Sequence, residues 1–73
     1  MSLLQSAKKK EQKIVGELEK QGIRVHVAIN NVEPKTKAWE HNVGFFEVLP
    51  KEKTDKVWAV IRKYYDEWAR EVK

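Results

Sequence analysis

Apolar residues in the first twenty positions return every three or four residues. At 100° per residue Leu3, Leu4, Ala7, Ile14, Val15 and Leu18 fall within an arc of about 120°, which predicts an amphipathic helix over 2–21. Ser2 with Gln5 three positions later has the form of a capping box at its start. Gly22 suits the left-handed position just past its end, with Ile23 folding back on Leu18. Lys9, Lys13 and Lys20 gather on the opposite face, with Lys10 at its border. Glu11 falls inside the apolar arc, and the expectation is that the first turns overhang the core and leave it wet, because unpaired buried charges are rare.

The period then changes to two. In 23–29, Ile23, Val25, Val27 and Ile29 alternate with Arg24, His26 and Ala28, the pattern of a half-buried strand. Asn30-Asn31 signals a turn, followed by a polar loop through Pro34 to Lys35. Residues 36–49 are rich in strand formers. They read either as a hairpin of 36–41 with 44–49, turning at His41–Gly44, or as one longer strand with a bulge near Gly44. From Pro50 or Thr54 onward the helical period returns over 51–72. Val57, Trp58, Val60, Ile61, Tyr64, Tyr65, Trp68 and Val72 share an arc of about 160°. Lys63 with Glu67, and Arg62 with Asp66, are spaced four apart on the other face and predict two intrahelical ion pairs.

The element order is therefore α-β-β-β-α, or α-β-β-α without the hairpin. Short connections imply an antiparallel sheet with both amphipathic helices on one face, a two-layer α+β domain. A chain of 73 residues makes a single domain over 1–73. Such a domain buries only roughly 60% of its unfolded surface. It has no cysteine, so neither disulfides nor thiolate-bound metal support it. Charged residues make up 36% of the chain, above the roughly 25% typical of soluble domains. The 41% hydrophobic share still suffices for a core. No apolar run approaches the roughly 18 residues of a membrane span. No hydrophobic signal core follows the first residues either, so the expected location is cytoplasmic, with no membrane partner.

Catalytic chemistry has little to draw on. The serines are Ser2 and Ser6, the histidines His26 and His41 lie on separate segments, and Gly16, Gly22 and Gly44 are isolated. No nucleophile with a base, no metal-ligand spacing and no phosphate loop is legible. The expectation is a non-enzyme with no cofactor, no metal and no small-molecule substrate.

Two features suggest binding. The first is the aromatic stripe of the second helix, Trp58, Tyr64, Tyr65 and Trp68, which is wider than the roughly 100° one helix needs against one sheet. Its uncovered edge, either Trp58 with Tyr65 or Val60 with Tyr64, would form an apolar patch of the kind that marks partner surfaces. This reading makes the protein an assembly module that pairs with itself, as a homodimer, or with another protein. The second feature is charge. The net charge of +4 is spread as +2 over 1–22, 0 over 23–50 and +2 over 51–73, with lysines on the first helix and at the start of the second. The order α-β-β-β-α with Lys51, Lys53 and Lys56 opening the last helix resembles the layout of double-stranded-RNA-binding domains, in which the first helix, a strand-connecting loop and that helix start span adjacent grooves. The likeness is one of element order: the loop from Asn30 to Lys35 lacks the family's Gly-Pro and histidine pattern. It implies, as the alternative function, nucleic-acid binding through Lys9, Lys13, Lys51, Lys53 and Lys56. Trp39 is either a platform for a stacked base or a core-facing strand residue.

Overall fold

The structure, a computed structural model, describes residues 2–72. Four elements follow in the order α1 (Leu3–Lys20), β1 (Val25–Val32), β2 (Trp39–Phe45) and α2 (Lys51–Glu71). The fold is α+β, and of the two element orders the sequence permits, α-β-β-α is the one that forms.

Helix α1 begins and ends where its capping residues dictate. The Ser2 hydroxyl accepts the Gln5 N–H, and the Gln5 side chain accepts the Ser2 N–H in return. At the far end Gly22 has φ +77°, while the Gly22 N–H reaches the Glu19 carbonyl and the Ile23 N–H the Leu18 carbonyl, both at 2.9 Å. That pair of bonds satisfies carbonyls that the helix leaves orphaned. Helix α2 starts after Pro50, whose fixed φ and missing N–H suit a helix entrance.

Strands β1 and β2 form one antiparallel sheet, with Val27 opposite Val43 and Val32 opposite Trp39. Strand β1 runs through Asn30-Asn31, where the sequence signals a turn. Its pairing slips by one residue between Ile29 and Asn31, a bulge that absorbs the asparagines within the strand. The reversal falls on Pro34–Thr36 instead, closed by the Lys37 N–H on the Glu33 carbonyl at 2.7 Å with Lys37 left-handed at φ 57°. The hairpin of 36–41 with 44–49 does not form. The chain leaves the sheet after Phe45, and Phe46 and Val48 stand exposed. With β1 already paired along 39–45, residues 46–49 have no partner strand.

The helices lie on one face of the sheet and run antiparallel, as their cross-contacts show. The Trp68 indole N–H donates to the Ser6 hydroxyl at 2.8 Å, and eleven residues further along α1, Glu17 accepts hydrogen bonds from Tyr64 and Lys63, which precede Trp68 in α2. Ile14, Leu18, Ile23, Val25, Val27, Val57, Val60 and Ile61 make the larger core cluster; Ala7, Ile29, Val32 and Trp68 make the smaller.

Two charged residues of α1 do not sit where their helical positions imply. Glu11 is not a wet overhang: its carboxylate accepts the Ile29 N–H beside the bulge and pairs with Lys8 at 3.6 Å. Lys10 is buried, not a border residue of the solvated face. Its ammonium lies 2.9 Å from Glu71 and 3.3 Å from Glu67. Burial alone would lower the Lys10 pKa, but the two carboxylates outweigh it and hold it above the ordinary lysine value. Glu67 is thereby drawn away from Lys63, so the predicted Lys63–Glu67 pair gives way to Lys63–Glu17 at 2.9 Å, while Arg62–Asp66 forms at 3.4 Å.

Replacing Gly22 with Ala tests the helix ending. The space around Gly22 is open, so the cost is backbone strain alone. A left-handed L-residue costs about 1 kcal/mol or slightly more, which for a domain of this size lowers Tm by about 4–8 °C in a thermal unfolding experiment.

Candidate functional site

The core face of β2 carries Trp39, His41, Val43 and Phe45, opposite Val32, Ile29, Val27 and Val25 of β1. Beneath β1 this face is sealed by α1, and its residues are buried. Beneath β2 it meets only the aromatic side of α2, and the two elements splay apart. A groove of about 470 Å³ opens between them, lined by Ala38, Trp39, His41, Trp58, Ile61, Arg62 and Tyr65. Trp58 is 48% exposed and Phe45 41%, and their rings meet edge to face at 6.1 Å at one end of the groove. Trp39 and Tyr65, also edge to face at 5.1 Å, stand at the other.

The four candidate interface aromatics thus have different places. Trp58 faces solvent. Tyr65 is half-buried in the groove wall, and its hydroxyl donates to the carbonyl of left-handed Lys37 at 3.0 Å, tying the hairpin loop to α2. Tyr64 lies on the α1 side, half-buried, with its hydroxyl 2.9 Å from Glu17. Trp68 is fully buried and presents no surface. The uncovered edge is the Trp58–Tyr65 one, since Val60 is buried. Trp39 faces the core rather than the solvent-side face of the sheet; its indole N–H is buried without a hydrogen-bond partner. His41, which lines the groove, and Phe45, which packs against Trp58 beside it, were not among the sequence candidates. Their alternation with Val43 along one strand is the signal that places them there.

The lysines are dispersed. Lys9 and Lys13 are exposed on α1, Lys51 and Lys56 are exposed near the start of α2, and Lys53 is half-buried there. Because the helices run antiparallel, Lys51 lies roughly 25 Å along the axis from the level at which Lys10 meets Glu67. Lys51 is also paired with Asp55 at 3.1 Å. The two groups are therefore separated along the helical layer. His26 and His41 point to opposite faces, being opposite Gly44 and Ile29 respectively. Among the described residues no cluster of His, Asp or Glu is placed to hold a metal ion, and no helix is long and apolar enough to cross a membrane.

Comparison with known protein families, with curated proteins and with solved structures finds no match to this chain.

Glu17 ties the two helices together on the side away from the groove. Its hydrogen bonds from Lys63 and then from Tyr64 hold its carboxyl below the usual value, and the same carboxylate raises the Tyr64 phenol. A folded-state pKa below the unfolded one contributes stability that is present above the unfolded value and is lost as pH falls through the folded one. Denaturant midpoints measured from neutral pH downward should fall below about pH 4.5 more steeply in the wild type than in Glu17→Gln, whose neutral side chain removes that component.

Proposed function

We propose that the protein is a small non-catalytic assembly module that associates with itself through the groove between β2 and the aromatic face of α2. One observation carries this reading: an aromatic groove left open beside a sheet edge. Exposed Trp58 and Phe45 are the residue types that anchor interfaces, and the walls formed by Trp39, Ile61 and Tyr65 are apolar. Association hides this surface from water and adds the buried area that a domain of this length lacks.

The alternative, binding of nucleic acid through Lys9, Lys13, Lys51, Lys53 and Lys56, finds less support in the arrangement. The two separated lysine groups would have to meet phosphates separately, and Lys51 has an acid beside it. A titration of labelled double-stranded RNA at low and moderate salt is expected to show no salt-steep binding. Micromolar binding that is abolished in Lys51→Glu with Lys53→Glu would establish the alternative instead.

Trp58→Ala is the direct test of the assembly reading. Trp58 contributes little to the core, so the variant should keep its helical circular dichroism and nearly its full Tm. A central aromatic anchor is worth about 2 kcal/mol or more in an interface, so the dissociation constant should rise about 30-fold, read by sedimentation across micromolar concentrations. If the variant unfolds, Trp58 belongs to the core and the groove is not a binding surface.

A further inference from the structure

Resting on that self-association reading, we propose that the occupant of the groove is a second copy of this chain whose β2 pairs antiparallel with β2 about a two-fold axis at Asn42, giving one continuous four-stranded sheet.

The sheet has two open edges, and they differ. At β1 the bulge at Ile29–Asn31 breaks the ladder and the Glu11 carboxylate takes the Ile29 N–H. Bulges and inward-pointing charges are how proteins close an edge to pairing. Strand β2 has neither. Its seven residues, Trp-Glu-His-Asn-Val-Gly-Phe, contain no proline and no lysine, and its edge borders the groove. A lone pair of strands is also a marginal sheet, and a four-stranded one is not.

The backbone directions fit a copy of the same strand. Because the Ile29 N–H goes to Glu11, Ile29 and His41 are a pair without ladder bonds. In an antiparallel ladder the alternation then turns the backbone groups of His41 and Val43 toward the free edge. A two-fold axis at Asn42 sets His41 against Val43 of the other copy, so the outward-facing groups meet each other. It also pairs the strand along its whole length, Trp39 meeting the other copy's Phe45. Axes at His41 or Val43 leave an end of the strand unpaired.

The side chains agree with the same register. On the core face every opposed pair contains an aromatic or aliphatic residue, and Phe45 is delivered to the Trp39–Tyr65 end of the other copy's groove. On the outer face Glu40 lies opposite Gly44, which has no side chain, so the acid of one copy does not face that of the other. Arg62 in the groove wall is already paired with Asp66, so this wall presents no net charge to a copy of itself despite the chain's +4. Aromatic side chains bury about 150–250 Å² each. At their observed exposures Trp58 and Phe45 together leave about 200 Å² uncovered per copy. A strand edge about 23 Å long and the groove walls bring each copy toward the roughly 500 Å² that half of a specific interface requires.

The absence of cysteine makes single-cysteine crosslinking a clean test. Across the proposed axis the two Asn42 Cα atoms stand about 4.5 Å apart, within disulfide reach. Ala28, beside Asn42 on the same sheet face, would be about 14 Å from its counterpart, beyond that reach. Under mild oxidation at micromolar concentration, Asn42→Cys should form a reducible covalent dimer and Ala28→Cys should not. A mixture of Glu40→Cys with Gly44→Cys should crosslink, and Glu40→Cys alone should not, which fixes the register. If the wild type sediments as a dimer but Asn42→Cys crosslinks no better than Ala28→Cys, the strand pairing is wrong and self-association stands. If the wild type and Asn42→Cys both remain monomeric throughout, the self-association reading falls and the strand pairing with it.

Discussion

A sheet of two strands has to shield the apolar faces of two helices, one of 18 residues and one of 21, and it is too narrow to do so. The consequences run through the whole molecule. Helix α1 takes the better-covered position beneath β1, and its contact residues Ala7, Ile14 and Leu18 are completely buried. Helix α2 must then serve two neighbours. Val57, Val60 and Ile61 turn to the shared core, Trp68 fills the gap between Ala7 and Val32, and the remaining aromatic edge is left beneath β2, an edge strand of the sheet. The groove lies beneath the open β2 edge of that sheet.

Trp68 shows how tightly the covered part is organised. Its ring is fully buried, tilts against Trp39 at 5.5 Å and Tyr65 at 6.2 Å, and sends its N–H to Ser6. The bond spares Trp68 the cost of an unmet N–H in a low-dielectric interior, a cost that the neighbouring Trp39 indole bears. Ser6 therefore does more than sit on a helix. It lets one of the two tryptophans of α2 enter the core, and Trp39 and Tyr65 are positioned around that ring. The groove wall is an extension of this packed aromatic cluster, since Trp39 and Tyr65 line the groove and both pack on Trp68.

Local rules made much of this legible. Ser2 with Gln5, and Gly22 with Ile23, mark the ends of α1 because capping depends on residues within four positions of one another. The alternation from Ile23 to Ile29 and the wide stripe of α2 were readable for the same reason. What escaped depends on partners far along the chain. Glu11 is explained only by the backbone of residue 29, and Lys10 only by Glu67 and Glu71. Asn30-Asn31 is a good turn signal in isolation, but pairing with β2 and the carboxylate of Glu11 stabilise a bulge there instead. Phe46 and Val48 have strand propensity with no strand to meet, and propensity without a neighbour does not make a ladder.

The same reasoning bears on what an uncovered edge means. Width of an apolar stripe, read from sequence, says that something must cover a helix; it does not say whether the chain supplies the cover. The structure divides the stripe of α2 into a part closed by Trp68, Val57 and Ile61 and a part, around Trp58, that stays half exposed with the Phe45 ring against it. Where a small domain keeps an aromatic anchor half in water next to an unblunted strand edge, while blunting its other edge with a bulge and a carboxylate, the asymmetry itself is informative. Protection against pairing on one side only is what a chain needs if it is to add strands in one direction and then stop. A two-fold axis on the open edge meets that condition, because the closed four-stranded sheet is left with two copies of the blunted edge and no open one.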